Sequence, residues 1–399
     1  MLEGLKVVEL ATYIAAPGAA GIMADWGADV TKIEAPIGDP LRRFFDALSD
    51  GHDGNPVFEL DNRGKRSIAL DISRPEGRDV AMRLAAEADV FLTNVRGAAL
   101  KRAGLDFDAL HSLNPRLVYC VVTGYGLLGQ DADKPGFDVT AFWARSGVAS
   151  LTAPKGFDPF PLRTGQGDHT CSLAVVSGIL AALFERGRTG QGRLVETSLL
   201  RSGVYAIGSD MAIQLRLGRI ASTRPRSQAI NPLSNYFKTA DGHWVCFNPR
   251  DGGRDWRELA RAIGQPELAA DPRFAKARDR RLNAAQLVGV LDTAFAGMTL
   301  AEVARRLDEA DLVWAPVQTP AECAADPQAH AAGCFVETPN PAGGTWRAPA
   351  APVRFPGADD GPKGPAPSLG QHTRAVLAQA GYAADEIEGL LAAGVAVAG

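Results

Sequence analysis

The sequence predicts an α/β protein in which a parallel sheet, covered by helices on both faces, is joined to a smaller α+β domain. Strand-like and helix-like segments alternate from residue 6 to residue 123, and this rhythm is typical of parallel sheets. Beyond residue 187 a hairpin and helices rich in arginine and alanine replace the alternation. The length of 399 residues also favours two domains over one.

Short apolar runs supply the strands of the predicted sheet. They are Lys6–Leu10, Asp29–Glu34, Ser67–Leu70, Val90–Thr93 and Leu117–Thr123, with helical patterns at Gly18–Trp26 and Glu76–Ala88. Ligands of such folds bind in the crevice beyond the carboxyl ends of the strands. Asn94, Gly124 and the Gly165–Asp168 loop lie just after strand or loop segments, so the sequence predicts a site there.

The second half begins with a strand-like segment, Leu194–Ser198, and a long helical pattern, Leu199–Leu217. After a polar linker, the alternating stretch Ser234–Phe247 turns at Asp241-Gly242, which is a strong hairpin signal. Further helical patterns lie at Asp255–Ile263, Asn283–Phe295 and Thr299–Glu309. We therefore expect a small α+β domain over about residues 225–325.

The C-terminal part is predicted to be extended first and helical later. Residues 338–368 are dense in proline and glycine, which favours a loop. A helix is expected over Arg374–Ala380, because His372-Thr373 offers a plausible start.

Composition and charge exclude several classes of partner. With 46% hydrophobic and 22% charged residues and a net charge of −4, the chain has no electrostatic footprint for nucleic acid or an anionic membrane. The sequence shows no signal-peptide pattern and no apolar run judged long enough to cross a bilayer, so we expect a cytoplasmic protein. The five cysteines are odd in number and lack Cys-x-x-Cys spacing, which argues against disulfides and a metal site.

One carboxylate, Asp168, occupies a suggestive place. The polar, glycine-interrupted stretch Arg163–Thr170 runs directly into the apolar helical pattern Ser172–Phe184. Backbone N–H groups at a helix N-terminus favour an ionised carboxylate, and a neighbouring glycine leaves room for a substrate. Asp168 is therefore either a helix cap or a nucleophile. Cys171 is the weaker candidate nucleophile, because no His–Cys spacing supports it.

Short motifs occur in a specific order along almost the whole chain. They are Leu5–Leu10 with Ala16-Pro17, Trp26–Pro36 with Gly38-Asp39 and Arg42, Phe91–Asn94, Val122–Gly126, Pro135–Asp138, Gly167-Asp168, Gly178–Leu183, Thr189–Gly192, Ala315–Val317, Asp326-Pro327 and Pro367–Thr373. As a colinear set they resemble the class III CoA-transferases (the CaiB/BaiF family) and their acyl-CoA racemase relatives.

The resemblance implies a fold and a reaction. The fold would be a doubly wound, Rossmann-like large domain (1–220), a smaller domain (225–325) and a return segment (326–399), in an interlocked homodimer. The reaction would move coenzyme A between carboxylic acids, with Asp168 forming an aspartyl anhydride and then an aspartyl-CoA thioester. The CoA thioester is then a substrate, and no metal or redox cofactor is required.

The resemblance also assigns binding residues. Tyr13 and Ile14 match contacts near the thiol end of CoA, Asn94 and Arg102 match polar and cationic contacts, and Phe137 with Asp138 match the pair flanking the thioester. Three of them have structural alternatives: Asn94 as a turn cap, Arg102 as a solvated surface residue and Phe137 as core.

Further accessory roles follow from the residue types themselves. Arg42 is either a phosphate ligand or an exposed arginine. Gly165 and Gly167 favour close backbone approach to an oxyanion. His169 is either a proton shuttle or structural.

Two departures from the family pattern bear on the reaction. Racemases of the family present a histidine where this chain has Phe137, and phenylalanine cannot move an α-proton, so the racemase is the alternative. The glycine-rich lid of the formyl-CoA transferases is not evident in Ser227–Leu233. The segment Gly136–Gly147 resembles the branch that handles 2-hydroxyacyl and arylacyl groups. Dicarboxylic acids stay open, since Arg145 or Arg163 could pair with a distal carboxylate.

Non-transferase hypotheses remain for the whole chain. A non-catalytic CoA-binding protein is the second alternative, although retention of Asp168 argues against it. A dehydrogenase is disfavoured because Ala16–Gly21 lacks the Gly-x-Gly-x-x-Gly spacing of a dinucleotide-binding turn.

Overall fold

A computed structural model describes residues 1–44 and 54–399. These residues form two compact units. The first comprises Met1–Ser150, Pro161–Ile220 and Ala331–Gly399, and the second comprises Leu151–Phe160 and Ala221–His330.

The strands, in chain order, are β1 Lys6–Leu10, β2 Asp29–Glu34, β3 Arg66–Leu70, β4 Val90–Thr93, β5 Val118–Thr123, β6 Leu194–Ser198, β7 Asn235–Lys238, β8 Trp244–Phe247, β9 Trp314–Pro316, β10 Phe335–Pro339, β11 Thr345–Pro349 and β12 Ala396–Val397. The α-helices are α1 Ala15–Asp25, α2 Leu41–Phe44, α3 Pro56–Asn62, α4 Pro75–Ala86, α5 Gly97–Ala103, α6 Phe107–Leu113, α7 Val148–Thr152, α8 Gln166–Thr189, α9 Leu199–Ala206, α10 Gly208–Leu217, α11 Arg254–Ala262, α12 Ala277–Leu282, α13 Ala284–Ala296, α14 Leu300–Glu309, α15 Pro320–Ala325, α16 Pro327–Ala331, α17 Thr373–Gln379 and α18 Ala384–Ala392. A π-helix spans Asp138–Arg145, and 3₁₀ turns lie at Arg226–Gln228 and Pro266–Ala269.

The first unit contains a seven-stranded sheet in the order β12-β3-β2-β1-β4-β5-β6. The pairs among β1 to β6 are parallel, whereas β12 pairs with β3 antiparallel. The predicted parallel sheet is therefore confirmed, with an antiparallel edge strand that the sequence pattern did not indicate. This order, with the β12 edge set aside, is the doubly wound arrangement.

Helices cover both faces of this sheet, which explains why its strands are rich in apolar residues. Val7 and Leu92 pack with α1 and α8 on one face, while their neighbours Val8 and Phe91 pack with α4 and α17 on the other. Adjacent residues point to opposite faces because side chains alternate along a strand. The carboxyl ends of the parallel strands consequently meet at one edge.

The second unit has its own antiparallel sheet, in the order β7-β8-β9. The predicted hairpin is confirmed: β7 pairs with β8, and Gly242 takes a positive φ of 87° in the turn. Helices α11, α13 and α14 cover the sheet, and Phe237, Trp256 and Phe295 lie in the shared core.

Three features differ from the sequence-based expectations. The helix expected over Leu199–Leu217 is interrupted at Ile207, so that α9 and α10 are separate. The stretch expected to be a loop over 338–368 contains most of an antiparallel hairpin, β10-β11. Residues 151–160 group with the second unit, where the Lys155 N–H donates to Thr223 O at 3.0 Å.

One described helix, α8, is long and apolar enough to cross a bilayer by length and composition. A second candidate arises only if α13 and α14, bent by 113°, are taken as one span. The expectation that no segment reaches this threshold is therefore wrong. Val175, Val176 and Ile179 of α8 are buried in the first unit's core, as expected of a core helix.

Candidate active site

Asp168 lies in the first turn of α8 rather than before it. Gly165 is the residue that precedes the helix, with φ 102°, and no side chain caps the helix end. Asp168 is the third helical residue, so the capping interpretation is wrong. Its side chain is on the inner face of the helix, and the residue is 8% exposed.

Burial governs the protonation of Asp168. Removal from water, together with the negative charge of Asp138, raises the pKa of Asp168 to about 7, although His169 opposes the shift. Burial thus opposes the ionised form that the helix N-terminus is expected to favour. A carboxyl group with a pKa near neutrality, held in a largely dry site, is typical of a reactive group.

Asp138 opens the π-helix and packs directly against the start of α8. Its Oδ2 accepts a hydrogen bond from the Gly165 N–H at 2.5 Å. A Cβ at Gly167 would lie 2.2 Å from Asp138 Oδ1 and 2.4 Å from the ring of Phe142, so only glycine fits there. Gly167 therefore permits the close approach of Asp138 to α8, and the Gly165 N–H is already used in its hydrogen bond to Asp138.

His169 is held by a residue that sequence analysis missed. Its Nε2 lies 3.0 Å from Oδ1 of Asp61 on α3. This hydrogen bond raises the pKa of His169, since Asp61 stabilises the imidazolium. Gly18 of α1 faces the same place, because a Cβ there would lie 2.8 Å from Ser172 Oγ and 3.2 Å from Asp61 Oδ1. No local motif marked Asp61, because its role depends on a contact with a residue 108 positions away.

The turn after β1 reaches the same site. Tyr13 has a positive φ of 65°, and its ring packs edge-on against Phe137 with centroids 5.3 Å apart. Ile14 ends the turn, and its Cδ1 lies 3.5 Å from the Cβ position of Gly165. Phe137 is 54% exposed, so it is not a core residue of this chain.

Asn94 follows β4 and braces this turn. Its Oδ1 accepts from the Thr12 N–H at 3.0 Å, and its Nδ2 donates to Thr12 O at 2.7 Å. Both polar groups of the amide are used within the chain, so the structure gives Asn94 a bracing role at the carboxyl edge of the sheet.

The arginines lie elsewhere or are engaged. Arg42 donates twice to Glu34, at 2.7 Å each, and once to Pro367 O, so the structure places it in an ion pair instead of at a free phosphate site. Arg102 is exposed on α5 and no described contact joins it to Asp168. Arg145 pairs with Asp131.

Cysteine and metal chemistry are not indicated by the described residues. Cys171 is fully buried, and burial raises the pKa of its thiol to about 11, which makes it a poor nucleophile. Within residues 1–44 and 54–399, no group of three or more His, Cys, Asp or Glu side chains has the arrangement of a metal site.

The fold and site together define an α/β enzyme that holds a buried carboxyl group, with a pKa near neutrality, beside the carboxyl edge of its sheet. Comparison with known proteins identifies the family: the chain belongs to CoA-transferase family III, whose family model matches residues 2–373.

Relatives across the full length are CoA-transferases. The chain is 34% identical over 393 residues to the (R)-2-hydroxy-4-methylpentanoate CoA-transferase of Clostridioides difficile, covering 97% of each protein. It is 35% identical over 398 residues to the cinnamoyl-CoA:phenyllactate CoA-transferase of Clostridium sporogenes, covering 98% of this chain and 96% of that protein.

A solved structure of the same family is also similar. The CAIB/BAIF family protein from Brucella suis superimposes with a TM-score of 0.83 at 31% identity, covering 95% of this chain and 99% of that one. The family resemblance in the sequence is thus confirmed, and the protein is an enzyme of this family.

Proposed function

We propose that the protein transfers coenzyme A from an acyl-CoA donor to a carboxylic acid acceptor, with Asp168 as the covalent nucleophile. The observation that carries this proposal is the environment of Asp168: 8% exposed, at the glycine-lined start of α8, with its pKa raised to about 7. A desolvated carboxylate is more reactive than a solvated one, because it has lost the hydration that would otherwise stabilise its charge.

The steps conserve the thioester bond energy. An Asp168 oxygen attacks the acyl carbonyl, the carbon–sulfur bond breaks, and CoA thiolate leaves an aspartyl-acyl anhydride. The thiolate attacks the aspartyl carbonyl, which releases the donor acid and forms an aspartyl-CoA thioester. The acceptor carboxylate attacks this thioester, and the released thiolate attacks the acceptor's acyl carbon, regenerating Asp168. No net proton is consumed, and coenzyme A serves as a substrate with no further cofactor.

His169 contributes charge in this proposal. When protonated, His169 is held by Asp61 and places a positive charge beside Asp61, Asp138 and Asp168, where it favours ionised Asp168 and stabilises developing oxyanions. Because the Gly165 N–H binds Asp138, the glycines act mainly by allowing close packing instead of supplying a free donor at position 165.

We propose 2-hydroxyacyl or arylacyl groups as the acids. The names of two full-length relatives, which specify 2-hydroxy-4-methylpentanoate and phenyllactate, favour this choice. The rings of Tyr13 and Phe137, which pack against each other next to Asp138, suit an apolar acyl group, and Arg145 is engaged by Asp131 instead of being free for a distal carboxylate.

We also propose that the enzyme works in the cytoplasm as an interlocked homodimer. Helix α10 has no buried residue, and Tyr205, Leu215 and Leu217 are exposed apolar side chains on and beside it. A second copy of the chain would cover this surface. Light scattering at several protein concentrations tests the stoichiometry: a monomer throughout would contradict it.

The test of the reaction is chemical trapping. The enzyme is incubated with an acyl-CoA and then with hydroxylamine or borohydride, and the peptide containing Asp168 is examined by mass spectrometry, with Asp168→Asn as control. We expect modification at Asp168 in the wild type only. Equal exchange of acids by both proteins would refute the mechanism. Exchange of the α-proton in D₂O without acid exchange would indicate the racemase, and CoA binding without either would indicate the non-catalytic alternative.

A further inference from the structure

A group of fully buried charges lies beneath the Tyr13 turn, in the middle of the sheet. Glu9 on β1 and Lys32 on β2 are register partners, and Lys32 Nζ donates to Glu9 Oε1 at 2.7 Å. Lys65 Nζ donates to the other oxygen, Glu9 Oε2, at 2.6 Å. Asp39 Oδ2 lies 3.0 Å from Lys32 Nζ. We call these four residues the buried charge network.

Within this network Glu9 keeps its charge at neutral pH, whereas burial lowers the pKa of Lys65 to about 8. Burial alone would raise the pKa of Glu9, but Lys32 and Lys65 outweigh burial and lower it. Buried ion pairs recover their desolvation cost poorly, and apolar side chains of similar volume often stabilise a fold equally well. The network therefore calls for an explanation other than stability.

Three further hydrogen bonds of the network hold the backbone of one turn, while Lys65 Nζ also donates to Asn62 Oδ1 and Asp39 Oδ1 also accepts from the Leu41 N–H. Lys32 Nζ donates to Ala11 O at 2.8 Å, and Lys65 Nζ donates to Pro17 O at 2.9 Å. Asp39 Oδ1 accepts from the Tyr13 N–H at 3.2 Å. The two lysines thus fix the ends of the 11–17 segment, and the aspartate fixes its middle.

This turn needs to be held. Tyr13 has φ 65°, a left-handed conformation in which the Cβ of any residue other than glycine is crowded. Such a conformation persists only where surrounding contacts enforce it, and it is often found at functional sites. Here it directs the Tyr13 ring onto Phe137, beside the start of α8.

We propose that the buried charge network is a positioning device for the acyl-CoA site: it holds Tyr13 in its left-handed conformation and thereby supports thioester binding. The network residues act through the turn and do not touch the substrate. This inference rests on the proposed CoA-transferase function.

Glu9→Gln tests the inference, with Asp25→Asn as its matched control. Both variants change a fully buried, lysine- or arginine-paired acid into its amide; Asp25 binds Arg63 at 2.6 Å and contacts no residue of the turn through a described side-chain hydrogen bond. We expect Glu9→Gln to raise KM for acyl-CoA about tenfold with kcat within about twofold, because substrate binding must then restore the left-handed turn. Asp25→Asn should leave KM unchanged, whatever its effect on thermal stability.

A double variant identifies the route. In a Tyr13→Ala background, Glu9→Gln should change KM little further, since the two substitutions act through one turn and are not additive. The inference would be overturned if Glu9→Gln raised KM by the same factor in the wild-type and Tyr13→Ala backgrounds. It would also be overturned if Glu9→Gln and the Asp25→Asn control had the same KM.

Hydrogen–deuterium exchange separates this inference from the proposed function. Exchange of the peptide covering residues 11–18 should be faster in Glu9→Gln than in wild type and unchanged in Asp25→Asn. If wild type exchanges no acids, the proposed function fails while this measurement still tests the positioning role. Unchanged hydrogen–deuterium exchange in Glu9→Gln would refute the positioning role independently of activity.

Discussion

Replacing Asp168 by asparagine should stabilise the folded protein above pH 7 while abolishing acyl exchange. The folded protein holds the pKa of this carboxyl group at about 7, against an ordinary value of 3.8. Folding therefore favours the protonated form: the neutral group carries no penalty below pH 3.8, and stability is lost as pH rises through about 7. Asparagine is neutral at every pH and escapes this loss.

The difference between the folded-state pKa of Asp168 and its ordinary value sets the size of the effect. One pKa unit corresponds to about 1.4 kcal/mol, so ionising Asp168 in the folded state costs about 4 kcal/mol at most. Since the amide of asparagine also has to be buried, we expect Asp168→Asn to gain about 2–4 kcal/mol in unfolding free energy at pH 8.5, and nothing at pH 4.

Urea unfolding followed by tryptophan fluorescence, at one protein concentration and at pH 4, 6, 7 and 8.5, measures this difference. Acyl exchange measured in parallel should fall by at least about 10³-fold. The reasoning would be refuted if the variant were less stable than wild type at pH 8.5, or if the difference did not depend on pH. The first result would mean that the carboxylate is stabilised in place, and the second that folding does not change the pKa of Asp168.

Further predictions concern the neighbours of Asp168. In wild type, kcat/KM should fall about tenfold per pH unit below about pH 7, because the proposed mechanism requires ionised Asp168; a flat profile down to pH 5 would contradict this. Asp61→Asn removes the hydrogen-bond partner that raises the pKa of His169, so the imidazole should titrate at lower pH in an NMR titration; an unmoved titration would contradict this role of Asp61. Gly167→Ala forces a Cβ to within 2.2 Å of Asp138 Oδ1, so urea unfolding should show a free energy of unfolding lower by about 1–3 kcal/mol or more, and acyl exchange should be lost. If the variant were as stable as wild type, the π-helix would have to be able to move aside.

The elements with strong local patterns were predictable. The strand over Val90–Thr93 and the hairpin at Asp241-Gly242 appear as expected, because alternation and turn chemistry are properties of neighbouring residues. A weaker pattern gave a wrong prediction. Proline and glycine between residues 338 and 368 favoured a loop, but most of the β10-β11 hairpin lies there, and its strand pairing supplies stability that local propensity does not reveal.

The family motifs similarly located part of the site. They pointed to Tyr13, Phe137 and Asp168, which the structure brings to one edge of the sheet. Residue type also suggested Arg42 as a phosphate ligand, but its guanidinium is engaged by Glu34. A sequence does not show which ion pairs form in three dimensions.

The sequence by itself determined that the protein is built on a parallel α/β sheet, that it belongs to a CoA-transferase family and that Asp168 is its candidate nucleophile. Tertiary structure alone decided that burial raises the pKa of Asp168 to about 7, that Asp61 holds His169, and that Lys32 and Lys65 donate hydrogen bonds to the backbone at the ends of the Tyr13 turn. The physical reason is distance along the chain. Burial and charge act through space between residues far apart in sequence, whereas strand alternation, turns and motifs are properties of residues close together.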